Sequence, residues 1–170
     1  YSAMAGGYSN SAVGAGAAVG GGQFNQALGI MSFVGGGSVN TATDMYATVS
    51  GGVDNDSLGY ASTVSGGMQN RAQQYGTVVG GGLNNIAEGM LAAVGGGSGN
   101  VASGACAAVG GGLENSAADY GSTVAGGLYN GAYKTNSTVG GGFGNSASGN
   151  YSTVAGGYSN NAIGTRATVG

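Results

Sequence analysis

The sequence predicts an all-β fold, a single-chain parallel β-solenoid or β-roll in which each coil has 15 residues and two short strands. Three observations predict it. One motif recurs every 15 residues without a slip across all 170 residues. Glycine supplies 42 residues and proline none. The three Lys and Arg and the six Asp and Glu avoid fixed positions of the motif, as expected where part of each coil is buried.

The motif is numbered here from position 1 at Tyr1 to position 15 at Ala15. Eleven full repeats and five further residues form one continuous array over 1–170. Every full repeat has Gly-Gly at positions 6 and 7, and position 12 is Ala except at Ser57. Position 4 is a valine column that we expect to form the core: Val19, Val34, Val49, Val64, Val79, Val94, Val109, Val124, Val139 and Val154.

Two strands and two corners account for each repeat. Residues at positions 2 and 4 share one face of the first strand, and positions 10 and 12 share one face of the second. The Gly-Gly pair gives the positive φ that a sharp corner needs, and the frequent glycine at position 14 indicates the second corner. Stacked coils would pair each strand with its equivalent about 4.8 Å away, so that eleven coils make a rod of about 50 Å.

Position 10 is asparagine in all eleven repeats, and stacking would align these side chains into an amide ladder. We expect this structural role, or a turn role, rather than ligand binding. The ladder residues are Asn10, Asn25, Asn40, Asn55, Asn70, Asn85, Asn100, Asn115, Asn130, Asn145 and Asn160.

Composition argues against several functions. Three scattered cations do not make a phosphate-binding stripe, so no nucleic-acid partner is expected. Apolar stretches are short and interrupted, so direct membrane insertion is not expected either. With no His and only Cys106, we expect no cofactor, no metal and no enzymatic activity. Asp54 and Asp56 could form a weak calcium site on one outer face, but a solvated surface is the better interpretation.

The outer face of the first strand predicts self-association. Position 3 is mostly Thr or Ala, and position 5 is only Gly, Ala or Ser. Solvent does not demand small residues, so we expect a second copy to pack there in a closed homo-oligomer. Position 8 is apolar in eight of eleven repeats and is a second candidate contact column.

Tyrosines beside the second corner are candidate exposed ligand contacts, because an amphipathic ring can bind a host surface protein or a glycan. A shielding role over the ladder is the alternative. The residues concerned are Tyr46, Tyr60, Tyr75, Tyr120 and Tyr151.

The segment Ser152-Thr153-Val154-Ala155-Gly156-Gly157, followed by Asn160-Asn161-Ala162-Ile163-Gly164, resembles head repeats of trimeric autotransporter adhesins (YadA-like heads). Similar repeats occur in some bacteriophage tail-fibre proteins. The resemblance implies a left-handed roll in a homotrimer, within an extracellular fibre on a cell surface or virion.

The sequence therefore predicts a non-enzymatic, adhesive or structural segment of a trimeric fibre, cut from a longer array. A tail-fibre shaft and a self-assembling extracellular filament are the alternatives. An ice-binding solenoid is a weaker alternative, suggested by position-3 threonines in successive repeats.

Overall fold

The chain is a parallel β-solenoid, as predicted. The computed structural model describes residues 1–170, which form 23 two-residue strands and no helix. The odd-numbered strands, at positions 3 and 4, form a 12-stranded sheet, and the even-numbered strands, at positions 11 and 12, form an 11-stranded sheet. The chain therefore contains no helix able to cross a membrane.

The strands of the first sheet are β1 Ala3–Met4, β3 Ala18–Val19, β5 Phe33–Val34, β7 Thr48–Val49, β9 Thr63–Val64, β11 Val78–Val79, β13 Ala93–Val94, β15 Ala108–Val109, β17 Thr123–Val124, β19 Thr138–Val139, β21 Thr153–Val154 and β23 Thr168–Val169. Those of the second sheet are β2 Ser11–Ala12, β4 Gln26–Ala27, β6 Thr41–Ala42, β8 Asp56–Ser57, β10 Arg71–Ala72, β12 Ile86–Ala87, β14 Val101–Ala102, β16 Ser116–Ala117, β18 Gly131–Ala132, β20 Ser146–Ala147 and β22 Asn161–Ala162.

Each strand pairs in parallel with the strand one repeat away, in a register of 15 residues. Val34 is paired with Val49, for example, and Ala72 with Ala87. A third ladder of single bridges runs along position 8 from Tyr8 to Tyr158. Every coil is thus bonded to its neighbours on three sides, and equal repeat positions form columns along the rod.

The direction of the backbone hydrogen bonds reverses at two positions of each coil. The N–H groups of positions 3, 5, 8, 11 and 13 donate to carbonyls of the following coil, as Ile86 does to Asn100 at 2.8 Å. Positions 1 and 9 instead donate to the preceding coil, as Asn84 does to Met68 at 3.0 Å. The chain bends at position 9 and turns at position 1, in addition to its bend at the Gly-Gly pair.

Residues at positions 1 and 9 adopt the left-handed backbone conformation, a feature that the sequence analysis did not predict. Only five of them are glycine, so no glycine signal reveals them. At position 9 the φ angle is 60° for Val39 and 53° for Glu114, and at position 1 it is 61° for Tyr46. Non-glycine residues accept this conformation at a cost of about 1–2 kcal/mol, which the inter-coil hydrogen bonds offset.

Replacing Val39 by asparagine is expected to raise the free energy of unfolding by about 1 kcal/mol, because asparagine tolerates the left-handed region better than a β-branched residue does. Denaturant unfolding of Val39→Asn against the parent would measure this. The same change at Val101, in β14, should lower stability, since asparagine is disfavoured within strands. A lower stability for Val39→Asn would contradict the strain argument.

The interior is narrow and is filled by four columns of small or medium side chains. The hydrophobic part comprises 23 buried residues, all of them valine or alanine. The ten predicted core valines are each no more than 2% exposed. Alanine at position 12 packs opposite them, while position 2 carries Ala, Ser or Thr and position 10 carries asparagine. The small interior explains why larger residues are confined to the outer columns.

Ser32, at position 2, has a buried hydroxyl without a hydrogen-bond partner. Its counterparts in neighbouring coils are Ala17 and Ala47, so the site tolerates alanine. We expect Ser32→Ala to stabilise the fold by about 1 kcal/mol by removing this unpaired group. Ser122, whose hydroxyl donates to the Asp119 carbonyl at 2.7 Å, provides the matched control. Thermal unfolding should show no stabilisation for Ser122→Ala, and equal shifts for both variants would contradict the explanation.

Candidate functional site

The asparagines at position 10 form a continuous column inside the coil. Asn85 illustrates their bonding: Nδ2 donates to the carbonyl of Gly81 in its own coil at 2.8 Å and to that of Gly97 in the next coil at 2.9 Å. Its Oδ1 accepts from the backbone N–H of Asn100 at 3.0 Å. Asn85 therefore ties the Gly-Gly corner of its own coil to the coil that follows.

The same pattern runs along the rod. Ten successive pairs, from Asn10 with Asn25 to Asn145 with Asn160, share the bond between side-chain oxygen and backbone N–H. In seven of them the next Nδ2 also lies 3.1–3.2 Å from that oxygen. From Asn10 to Asn145, both donor hydrogens and the acceptor oxygen of each amide are thus used within the fold, so these amides present no free group to a ligand. Asn160, the last of the column, uses Nδ2 once, to the carbonyl of Gly156.

Three of the five tyrosines proposed as ligand contacts lie together at the corner formed by positions 15 and 1. The rings of Tyr60 and Tyr75 are stacked with centroids 5.4 Å apart, and Tyr46 meets Tyr60 edge-on at 5.7 Å. Tyr120 and Tyr151 make no ring contact, although both are exposed. Each ring of the stacked pair covers one face of the other, so those two faces are not available to a partner, although all three tyrosines are exposed.

The opposite corner carries further aromatic residues that the sequence analysis did not single out as a cluster. Phe143 and Tyr158, both at position 8, are stacked with centroids 5.2 Å apart, and Tyr129 at position 9 meets Phe143 edge-on at 5.8 Å. The signal available in the sequence was the apolar character of position 8. Position 9 was missed because its left-handed conformation, which brings its side chain beside that column, was not anticipated.

The position-8 column forms an exposed apolar stripe. Its solvent-exposed members, in one line along the third ladder, include Val53, Met68, Leu83, Leu113, Phe143 and Tyr158. On the adjoining side, the outer face of the first sheet is formed by the position-3 and position-5 columns, where half-buried Thr123, Thr138 and Thr153 alternate with exposed Ala125 and Ala155. We call this the small-residue face.

One cavity interrupts the otherwise plain surface of the rod. It has a volume of about 230 Å³ and lies between the position-9 and position-11 columns of three successive coils. Asp54, Gln69 and Asn84 line one side, and Asp56, Arg71 and Ile86 line the other, with Asn70 between them. The sequence predicts Asp54 and Asp56 on one outer face. The amide and guanidinium groups that the next coil places beside them are not evident from either repeat alone.

Internal contacts partly satisfy the charges of this cavity. Arg71 Nη2 and Nε each lie 3.3 Å from Asp56 Oδ2, and Gln69 Nε2 lies 3.3 Å from Asp54 Oδ2. Burial raises the pKa of the Asp56 carboxyl above its ordinary value, a shift that the Arg71 charge opposes and the Asp54 charge reinforces. Two carboxylates facing one guanidinium leave a net negative charge.

The structure contains no group of three or more His, Cys, Asp or Glu side chains placed to hold a metal ion. Asp54 and Asp56 are therefore a pair without a third such ligand. The single cysteine, Cys106, is exposed at position 1.

Comparison with known proteins supports the resemblance to adhesins. The family model for the ubiquitous surface protein adhesin repeat matches residues 152–164, from the end of one corner through β21 and β22 to the next corner. No curated protein matches the sequence. The matched stretch is nearly one complete coil, and every other coil repeats its backbone geometry. One coil of the chain is thus similar to a repeat found in a surface adhesin, and the other coils share the positions of its strands.

Proposed function

We propose that this chain is a non-enzymatic, structural and adhesive segment of an extracellular trimeric fibre. The observation that carries the proposal is a continuous array of coils with the same strand positions, one of which matches an adhesin repeat. Stacked coils extend a binding surface away from an anchoring point without needing a large core. The regular columns also present each side-chain type repeatedly along about 50 Å of rod.

The small-residue face is the surface on which a second copy packs. Apart from exposed Phe33 and Val78 at position 3, its side chains are Thr, Ala, Gly and Ser. These small side chains leave most of the sheet nearly flat, so that another backbone can approach closely there. The exposed apolar stripe at position 8 borders this face and would lose its contact with water in the same association. A heterologous contact forms a closed ring when its rotation permits and an open filament when it does not. The proposal is a closed ring of three copies, the number that the resemblance implies.

The oligomeric state is the test of this proposal. Light scattering of the purified chain should give three times the chain mass of 15.9 kDa. Thr138→Arg, which places a long cation on the small-residue face, should reduce the measured mass to that of one chain. Ser146→Arg is the matched control, because position 11 lies on the outer face of the second sheet and already carries Arg71 in another coil.

A monomeric parent chain would overturn the trimer. Equal masses for the parent and Thr138→Arg would show that the contact lies elsewhere, for example on the position-8 stripe. Growth into long filaments, seen by electron microscopy, would favour the open assembly over the closed ring.

A further inference from the structure

We propose that the cavity between the position-9 and position-11 columns of the fourth to sixth coils binds a neutral saccharide. It lies on the outer side of the second sheet and does not depend on the proposed trimer. No other cavity exists on the rod. The other coils of the array can be compared with the coils that line the cavity, because they have the same strand positions but lack this set of side chains.

The side chains of this cavity depart from the rest of the array. Three of the nine charged residues of the chain, Asp54, Asp56 and Arg71, lie in two adjacent coils. At the same two positions the coil containing Gly144 and Ser146 has almost no side chain. A periodic rod needs none of these groups for its ladders, since the backbone bonds of these coils are the same as elsewhere.

The polar groups facing the cavity are a mixture of free acceptors and free donors. Asp54 and Asp56 each use only one carboxylate oxygen within the protein, which leaves Oδ1 of both as an acceptor. Arg71 retains Nη1, and its side chain is 49% exposed. The amide of Asn84 has no protein partner and supplies both a donor and an acceptor. A sugar hydroxyl donates and accepts at the same time, so adjacent hydroxyls can pair with carboxylate and guanidinium together.

Size and charge narrow the choice of ligand. The volume of about 230 Å³ is below the usual range for drug-sized ligands and is suited to a single sugar unit with its chain continuing into solvent. The uncompensated negative charge of Asp54 disfavours phosphate, sulfate and acidic sugars. Calcium requires six to eight oxygen ligands and would meet Arg71 beside Asp56. Ile86 provides the one apolar side chain, against which the C–H groups of a sugar ring can rest.

Saturation-transfer NMR of the full chain with separate neutral sugars tests the proposal. The probes are glucose, galactose, mannose, N-acetylglucosamine and N-acetylgalactosamine, with N-acetylneuraminic acid and calcium chloride as the charged comparisons. We expect at least one neutral sugar to bind with a millimolar dissociation constant. The double variant Asp54→Gly/Gln69→Gly should weaken that binding at least tenfold.

Glycine is native at position 9 in two coils, as Gly99 and Gly144, so the double variant suits the backbone. Glu114→Gly makes the same kind of change at position 9 of a coil outside the cavity and should leave binding unchanged. An unfolding curve of each variant verifies that the fold is intact.

Three results would overturn the inference: no neutral sugar binds, the double variant binds as well as the parent, or calcium or the acidic sugar binds more tightly than every neutral sugar. If binding survives in the double variant, Tyr75→Ala shows whether the sugar binds at the stacked tyrosines, because this substitution disrupts their contact and leaves the cavity unchanged. Light scattering of the same samples separates this test from the oligomer test, because sugar binding by a monomer would support the cavity and overturn only the trimer.

Discussion

Replacing Asn85 by aspartate is expected to lower the free energy of unfolding by about 3–5 kcal/mol at neutral pH. The substitution is isosteric, so the loss comes from chemistry and not from packing. Nδ2 of Asn85 donates to two carbonyl oxygens, those of Gly81 and Gly97, at 2.8 and 2.9 Å. A carboxylate oxygen in its place would face both carbonyls as a third acceptor in a position that is fully buried. Urea unfolding at pH 7 measures the loss.

The effect should depend on pH with a definite sign. Burial and the two carbonyls raise the pKa of the new carboxyl in the folded state above its unfolded value of about 3.9. Below pH 3.9 the group is protonated in both states and can still donate to one carbonyl, so the loss shrinks to about 1 kcal/mol. As pH rises from there towards the folded pKa, stability falls by about 1.4 kcal/mol per pH unit.

Asn84→Asp is the matched control, because the neighbouring residue is exposed at position 9 and aspartate tolerates its left-handed conformation. Its unfolding free energy should change by less than about 0.5 kcal/mol. If Asn85→Asp and Asn84→Asp behaved alike, the buried amide ladder would have no special energetic role.

The sequence was sufficient to predict the columns that face inward. The interior is only wide enough for Val, Ala, Ser, Thr and Asn, so the same small set of residues recurs at the inward positions of every coil. Charge is excluded from these columns by the cost of burying it, so the charged residues indicate the outer positions by elimination. Both sheets and their register follow from that periodicity.

The left-handed corners could not be predicted in the same way. Positions 1 and 9 carry residues as different as Val39, Tyr46 and Glu114, because the side chains point outward and the strain is modest. The corner is specified by the backbone bonds to the preceding coil, which leave no mark on composition. Glycine at position 14 predicted roughly where the second corner lies, but the residue with positive φ is found two positions later.

The cavity was missed for a related reason. Its lining comes from three coils, and no single repeat contains enough of it to form a motif. Asp54 and Asp56 suggested a weak cation site when taken alone. The stacking of Arg71 beside Asp56, which follows from the register of β8 and β10, changes that interpretation. Positions 9 and 11 indicate the cavity only when three successive repeats are taken together.

Replacing Gly127 by alanine is expected to lower the free energy of unfolding by roughly 4 kcal/mol or more, a loss comparable to that of Asn85→Asp. Gly127 is at position 7, where φ lies between 84° and 97° in every repeat. A Cβ there would be 2.3 Å from the carbonyl oxygen of Gly142 and 2.6 Å from Nδ2 of Asn130. Backbone strain and steric overlap add together, and the overlap falls on the atoms that join adjacent coils.

Gly126→Ala tests whether this loss belongs to the position or to any change at the Gly-Gly corner. Gly126 lies outside the left-handed range, and a Cβ there would come no closer than 3.6 Å to another atom, the carbonyl oxygen of Gly111. Its substitution should change stability by no more than about 1 kcal/mol. Thermal and urea unfolding of the two variants should therefore differ widely, although the altered residues are adjacent. Similar losses at both positions would contradict this explanation. They would mean that the coils can move apart to accommodate a methyl group at position 7, so that their close approach there does not require glycine.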